Sequence, residues 1–226
     1  MTFLALWNDL RRGREAEYEA WHTREHVPER VAAPGFRSGR RYRRDDHPAH
    51  RWFTLYEVDG LEAFDTPEYH DLLANPTPWS ASMRPDFRNF LRVPCVTTGA
   101  EGFGIGAALA VLRLKEEAAV PALADGVVRA RLGRRAVASD FRAGAGGSGA
   151  DDDFAAVLLI ETLDRATAER AFAEAAARFA PGAAPLDLGG VYDLLFVFPG
   201  ADADERTTHR RPHWPITPRP PSPSRG

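Results

Sequence analysis

The sequence predicts an α+β chain in which a βαββαβ order of elements occurs twice. Three observations carry that reading. The length, 226 residues, suits one large domain or two small ones. Apolar runs of strand character alternate with helix-period segments, and the same order returns after Gly99.

In the first unit, residues 3–8 form an apolar strand-like run. Residues 14–31 carry Tyr18, Trp21, His22, Glu25, His26 and Arg30 at helical spacing, and Pro34-Gly35 stops that helix. Residues 36–44 and 51–58 read as a strand pair around a polar turn, 61–74 as a second helix broken by Asn75-Pro-Thr-Pro-Trp79, and 89–97 as the fourth strand. In the second unit, 105–114 reads as a strand and 118–132 as a helix. A strand pair, 136–141 and 154–163, flanks a glycine-rich loop, followed by an alanine-rich helix at 166–179 and a strand at 191–198. The expected organisation is therefore two tandem ferredoxin-like modules, 1–99 and 100–200, and a disordered proline-rich tail, 201–226. Each four-stranded sheet leaves one face open. The simplest cover is the sister sheet, giving an internal pseudo-dimeric α+β barrel.

Composition narrows the function. A formal charge of −3 supplies no basic surplus for nucleic acid, so no nucleic-acid partner is expected. No apolar run reaches the length of a membrane span, so no membrane partner is expected. The single cysteine, Cys95, can form neither an internal disulfide nor a thiolate metal cage. The expectation is a cytoplasmic protein, monomeric as a pseudo-dimer or paired as a homodimer.

The chemistry concentrates in the first module. Histidines 22, 26, 47, 50 and 70 and tryptophans 7, 21, 52 and 79 all precede residue 100, and residues 100–200 contain neither type. Acid–base chemistry near neutral pH therefore belongs to the first module. Residues four apart share a helix face, so His22 and His26 can point the same way. The string His22-Thr-Arg-Glu-His26 matches a zinc-protease pattern, but Pro28 removes an amide where a zinc helix would continue, and no metal is expected. The same proline can place the His26 imidazole at an irregular point lining a cavity between helix and sheet. Asn8, at the end of the first strand, can reach a pocket mouth, and Tyr42 can offer its phenol to an oxyanion. Trp7, Trp21, Trp52 and Tyr56 can supply aromatic surface for a substrate or serve as core, and Arg41 belongs to a basic hairpin that either attracts a carboxylate substrate or a nucleic acid or, with Asp45 and Asp46 beside it, is a solvated strand pair.

The series Tyr18, Trp21, His26, Pro28, Pro34, Gly35 and Arg40-Arg41-Tyr42 resembles the first helix and second strand of the EthD-like dimeric α+β barrel proteins, over about residues 3–95. The resemblance implies a ferredoxin-like barrel and, by analogy with cofactor-independent monooxygenases, cyclases and lactone isomerases, a small-molecule enzyme without organic cofactor. In it His26 corresponds to the motif histidine that acts as acid or base in some relatives. Glu25 before His26 and Glu29-Arg30 after Pro28 depart from the family's usual apolar pair. The expected function is acid–base chemistry, by cyclisation, isomerisation or oxygenation, on an apolar or aromatic substrate. His26, assisted by His22, Tyr42 or Asn8, would carry it. The alternative from another class is a non-catalytic ligand-binding or assembly module.

Overall fold

A computed structural model describes residues 2–136, 154–183, 188–200, 211, 213 and 214. Eight antiparallel strands close into one barrel. They are β1 (Thr2–Leu10), β2 (Phe36–Arg43), β3 (Trp52–Val58), β4 (Phe87–Gly102), β5 (Ala108–Leu114), β6 (Val127–Arg135), β7 (Ala156–Thr162) and β8 (Gly189–Pro199). Around the barrel they run β1-β3-β2-β8-β5-β7-β6-β4. The first four strands thus stand as β4-β1-β3-β2 and the last four as β8-β5-β7-β6, and β2·β8 and β4·β6 pairing closes the circle. Outside the first quartet lie α1 (Glu15–Trp21), α2 (Val27–Val31), α3 (Pro67–Ala74) and α4 (Pro78–Met83). Outside the second lies α5 (Arg165–Phe179).

Because strand side chains alternate between faces, each strand divides its residues between the barrel and the helical layer. On β1, Phe3, Ala5 and Trp7 join the barrel core with Tyr42, Phe53, Leu55, Val93, Val111 and Tyr192. Leu4 on the other face packs with Val27, Val31, Phe36, Tyr56 and Tyr69 beneath the helices. Both faces are buried, which explains the continuous apolar run. One end of the barrel is filled by charge instead. Arg40 on β2 donates to Glu161 Oε1 on β7 at 2.5 Å and pairs with Glu57 on β3, which Arg131 on β6 also approaches at 3.0 Å. Burial pushes the Arg131 guanidinium down to about 10.

Several expectations are corrected. The helix expected at 118–132 is absent: residues 115–126 are irregular and β6 begins at Val127. Pro121 lacks an amide proton, Gly126 sits at φ +79°, and Val127-Val-Arg-Ala-Arg-Leu132 alternates with period two. The strand before the glycine loop ends at Arg135, and the segment expected at 136–141 lies outside the described residues beyond Ala136. The second helix of the first unit is broken into a 3-10 turn, Leu61–Asp65, and α3. The Thr66 side chain caps α3 by accepting from Tyr69 N. Asn75-Pro-Thr-Pro-Trp79 ends α3 but also opens α4, whose cap is Thr77. Strand β4 runs unbroken past residues 99 and 100 and pairs with β1 and with β6.

The expected tail is not wholly free of the fold. Trp214 is buried in the helix-side core of the first quartet and donates from Nε1 to Asp71 Oδ2 at 3.0 Å. Arg211 reaches Glu29 Oε1 on α2 at 2.9 Å and Asp71 on α3 at 3.0 Å. Arg211 and Trp214 thus meet α2 and α3 through one forked cation and one aromatic ring. Among the described residues, no helix is long and apolar enough to cross a membrane.

Candidate functional site

Helix α1 passes into α2 through a π-helical turn, His22–His26, in which the Val27 amide reaches back to His22 O. Pro28 offers no amide to the Arg24 carbonyl, and the wider turn absorbs the mismatch without ending the helix. Gly39 on β2 lets this helix approach closely, since a Cβ there would meet Val27 Cγ1 at 2.5 Å. Between the helices and the first quartet lies a cavity of about 470 Å³. His22, His26, Trp21, Asn8 and Tyr56 line it, as do Tyr18 and Arg30.

Each histidine has a distinct environment. His22 is buried, its Nδ1 accepts from Arg41 Nε at 2.9 Å, and its ring stacks on Trp21. The accepting Nδ1 leaves the ring proton on Nε2. His26 lies over Trp21 with ring centroids 4.4 Å apart, and its buried Nδ1 has no hydrogen-bond partner in the protein. Burial first, and then the charges of Arg30, Arg84 and Arg41, hold His26 well below the usual imidazole range. Burial first, and then Arg41, do the same for His22. Both imidazoles are neutral at pH 7. Burial also raises the Tyr18 and Tyr56 phenols.

A frame of hydrogen bonds fixes the walls. Tyr18 OH donates to Asn8 Oδ1 at 3.0 Å. Trp21 Nε1 donates to Ser80 Oγ at 3.1 Å and Glu25 Oε1 at 3.2 Å, and Glu25 also accepts from Thr77 and Ser80. Glu25 therefore ties the π-helical turn to α4. Among the described residues, no group of three or more His, Cys, Asp or Glu side chains could hold a metal ion.

The structure brings together His22, His26, Asn8, Trp21 and Tyr56 and separates the other candidates. Trp7 and Tyr42 lie in the barrel core, on the strand faces opposite the cavity. Alternation decides this: Trp7 cannot share a site with Asn8, nor Tyr42 with Arg41. Trp52 and Arg41 stand behind the wall. Arg41 binds His22, Thr23 and Glu19, and Trp52 Nε1 donates to Glu19 Oε1 at 2.7 Å. Sequence reasoning missed Arg30, Arg84 and Arg92 as lining residues. Only the position of Arg30, four residues after His26 on the same helical segment, hinted at one of them.

Barrel, strand order and helical layer together define the dimeric α+β barrel fold. In particular, the chain is similar to an anthrone oxidase-like protein of known structure, with TM-score 0.57 and 10% identity, over 88% of this chain and 92% of that one. A candidate monooxygenase from Fusobacterium nucleatum aligns with TM-score 0.49 and 8% identity over 88% of this chain and 94% of that one. Another, from Lactobacillus acidophilus, gives 0.47 and 10% over 88% and 96%. At such identities the likeness concerns the fold. No family model and no curated protein matches the sequence.

Proposed function

We propose that the chain is a small-molecule enzyme working by acid–base chemistry without an organic cofactor, in the cavity between α1, α2 and the first quartet. The observation that carries this reading is His26: its ring lines a cavity of about 470 Å³, and its buried Nδ1 finds no partner in the protein. Buried polar atoms are nearly always paired, and exceptions cluster where a site acts on something else. As the Nε2-protonated tautomer, His26 would take a proton from a carbon next to a carbonyl, leaving an enolate. Tyr56, whose buried hydroxyl also lacks a protein partner, would donate a hydrogen bond to the enolate oxygen. Reprotonation at another carbon gives isomerisation, attack within the molecule gives cyclisation, and reaction with dioxygen gives oxygenation. The Tyr18–Asn8 pair and the Arg41-held His22 would orient the ring system. The repeated neighbour order of the two quartets supports reading the chain as a fused duplicate, with chemistry in the front copy.

The name of one structural neighbour suggests anthrone as a first substrate, since its acidic methylene is conjugated through the fused rings to the carbonyl across the central ring, so that loss of a proton gives an enolate-like anion. Incubation in deuterated buffer followed by NMR should show deuterium entering that methylene faster with the protein than without. His26→Ala should remove the acceleration while the thermal unfolding curve stays cooperative. Binding of anthrone with no protein-dependent exchange would instead favour a non-catalytic binding module.

A further inference from the structure

The charged residues lining the cavity are all of one sign. Arg30, Arg84, Arg88 and Arg92 line it, and no lining residue is an Asp or Glu. They arrive from separate elements: Arg30 from α2, Arg84 from the turn after α4, and Arg88 and Arg92 from β4. For Arg30, compensation from behind is thin. Glu29 Oε2 lies 3.7 Å from Arg30 Nη1, beyond hydrogen-bond reach, and its other oxygen is taken by Arg211 at 2.9 Å. Arg30 Nη2 and Arg84 Nη2 converge on a single acceptor, the Leu72 carbonyl, at 3.5 and 3.3 Å. Arg30 Nη1, on a side chain 8% exposed, is left without a hydrogen-bond partner in the protein. Arg88 Nη1 donates to backbone carbonyls of Pro85 and Phe87. Burial first, with Arg30 adding to it, holds the Arg84 and Arg92 guanidinia below their ordinary range. Arg30 is buried and Arg92 half-buried, whereas Arg84 and Arg88 are exposed to solvent; like charges gathered around one cavity raise its local concentration of anions.

We propose that the cavity takes a planar aromatic carboxylate, its ring against Trp21 and Tyr56 and its carboxylate on Arg30, Arg84 and Arg92. A guanidinium fork matches a carboxylate in geometry and charge, and the aromatic wall matches a flat ring. This rests on the reading of the cavity as a substrate site and deepens it. The bound anion would offset the charges of Arg30 and Arg84, which add to burial in making His26 a weak base.

The test uses two probes of one shape, 9-anthracenecarboxylate and neutral 9-anthracenemethanol, titrated by fluorescence against the full chain. The carboxylate should bind at least about tenfold more tightly, as a charge-assisted pair implies. Arg84→Gln and Arg92→Gln should each weaken the carboxylate by about tenfold and leave the alcohol within about twofold. Arg30→Gln should do the same if it folds; if it does not, the other two variants decide. Arg178→Gln, in the second quartet's groove, should change neither probe. Equal affinity for the two probes, no carboxylate binding, or carboxylate affinity unmoved in both Arg84→Gln and Arg92→Gln would overturn the inference. The two readings fail separately. Loss of anthrone exchange in His26→Ala with equal probe affinities leaves acid–base catalysis standing and sinks carboxylate recognition. Carboxylate selectivity with exchange indifferent to His26 does the reverse.

Discussion

The two quartets share a strand order but are covered differently. Over the first, four helices and a π-helical turn leave a cavity of about 470 Å³ lined by two histidines and several arginines. Over the second, one long helix and the irregular 115–126 segment leave a groove of about 290 Å³. Pro121, Ala122, Thr167 and Ala171 line that groove, and Glu174 stands beside Arg170 and Arg178. Mixed charges on a half-open wall neutralise one another in solvent. The first cavity concentrates one sign of charge, on a buried Arg30 and on Arg84 and Arg88 that reach solvent, beside two neutral imidazoles. The same strand order therefore carries two different surroundings, because the covering layer and not the barrel decides which side chains meet outside each quartet.

The sharpest way to break this contrast is kinetic. His26→Ala should lower proton-exchange turnover by about 10²- to 10⁴-fold, whereas Thr167→Ala in the second groove should leave it within about twofold. Comparable losses in both would dissolve the asymmetry. Next in size is the barrel shared by both quartets. Glu161→Gln leaves Arg40 short of a buried partner and should cost about 3–5 kcal/mol in urea unfolding, a loss felt equally by probes in either half.

The third test is pH. His22 and His26 are held below their unfolded values, so between those folded values and about pH 6.5 the unfolded chain binds more protons. Their contribution to stability is complete above about pH 6.5 and declines as pH falls, by about 1.4 kcal/mol per pH unit for each histidine. His26→Gln should flatten that slope by about one histidine's share, measured by unfolding at pH 5, 6 and 7; an unchanged slope would place the charged imidazole comfortably in the folded cavity. The smallest effect concerns the covering layer. Thr66→Ala removes the α3 cap and should cost about 1 kcal/mol, and it should disturb probe binding in the first cavity without changing the second groove.

Legibility differed along the chain for identifiable reasons. The His22/His26 pair and Trp21 were readable because helical spacing alone puts them together, and Pro28 marked where the helix would deviate. Trp7 is hard to place because β1 is apolar on both faces, Phe3-Leu4-Ala5-Leu6-Trp7, and Tyr42 because β2 carries arginine on both of its faces, at Arg40 and Arg41. A doubly buried strand carries no mark of which face meets the helices. The arginines are hard to foresee because Arg30 on α2 meets a segment more distant in sequence, Arg84 to Arg92, only in the folded chain. The strand β6 was mistaken for a helix because alanine, valine and leucine fill both kinds of element, and its alternation covers only a few residues.

What the sequence by itself determined is local. Apolar periodicity set most of the strands and helices, glycines and prolines set their ends, and the uneven distribution of histidine and tryptophan set which half has imidazoles lining its cavity. Closure of the eight strands decided which face of each became interior, and the packing of helices on that barrel decided which charges meet. Those outcomes depend on contacts between residues far apart in the chain, whose energies no local pattern records.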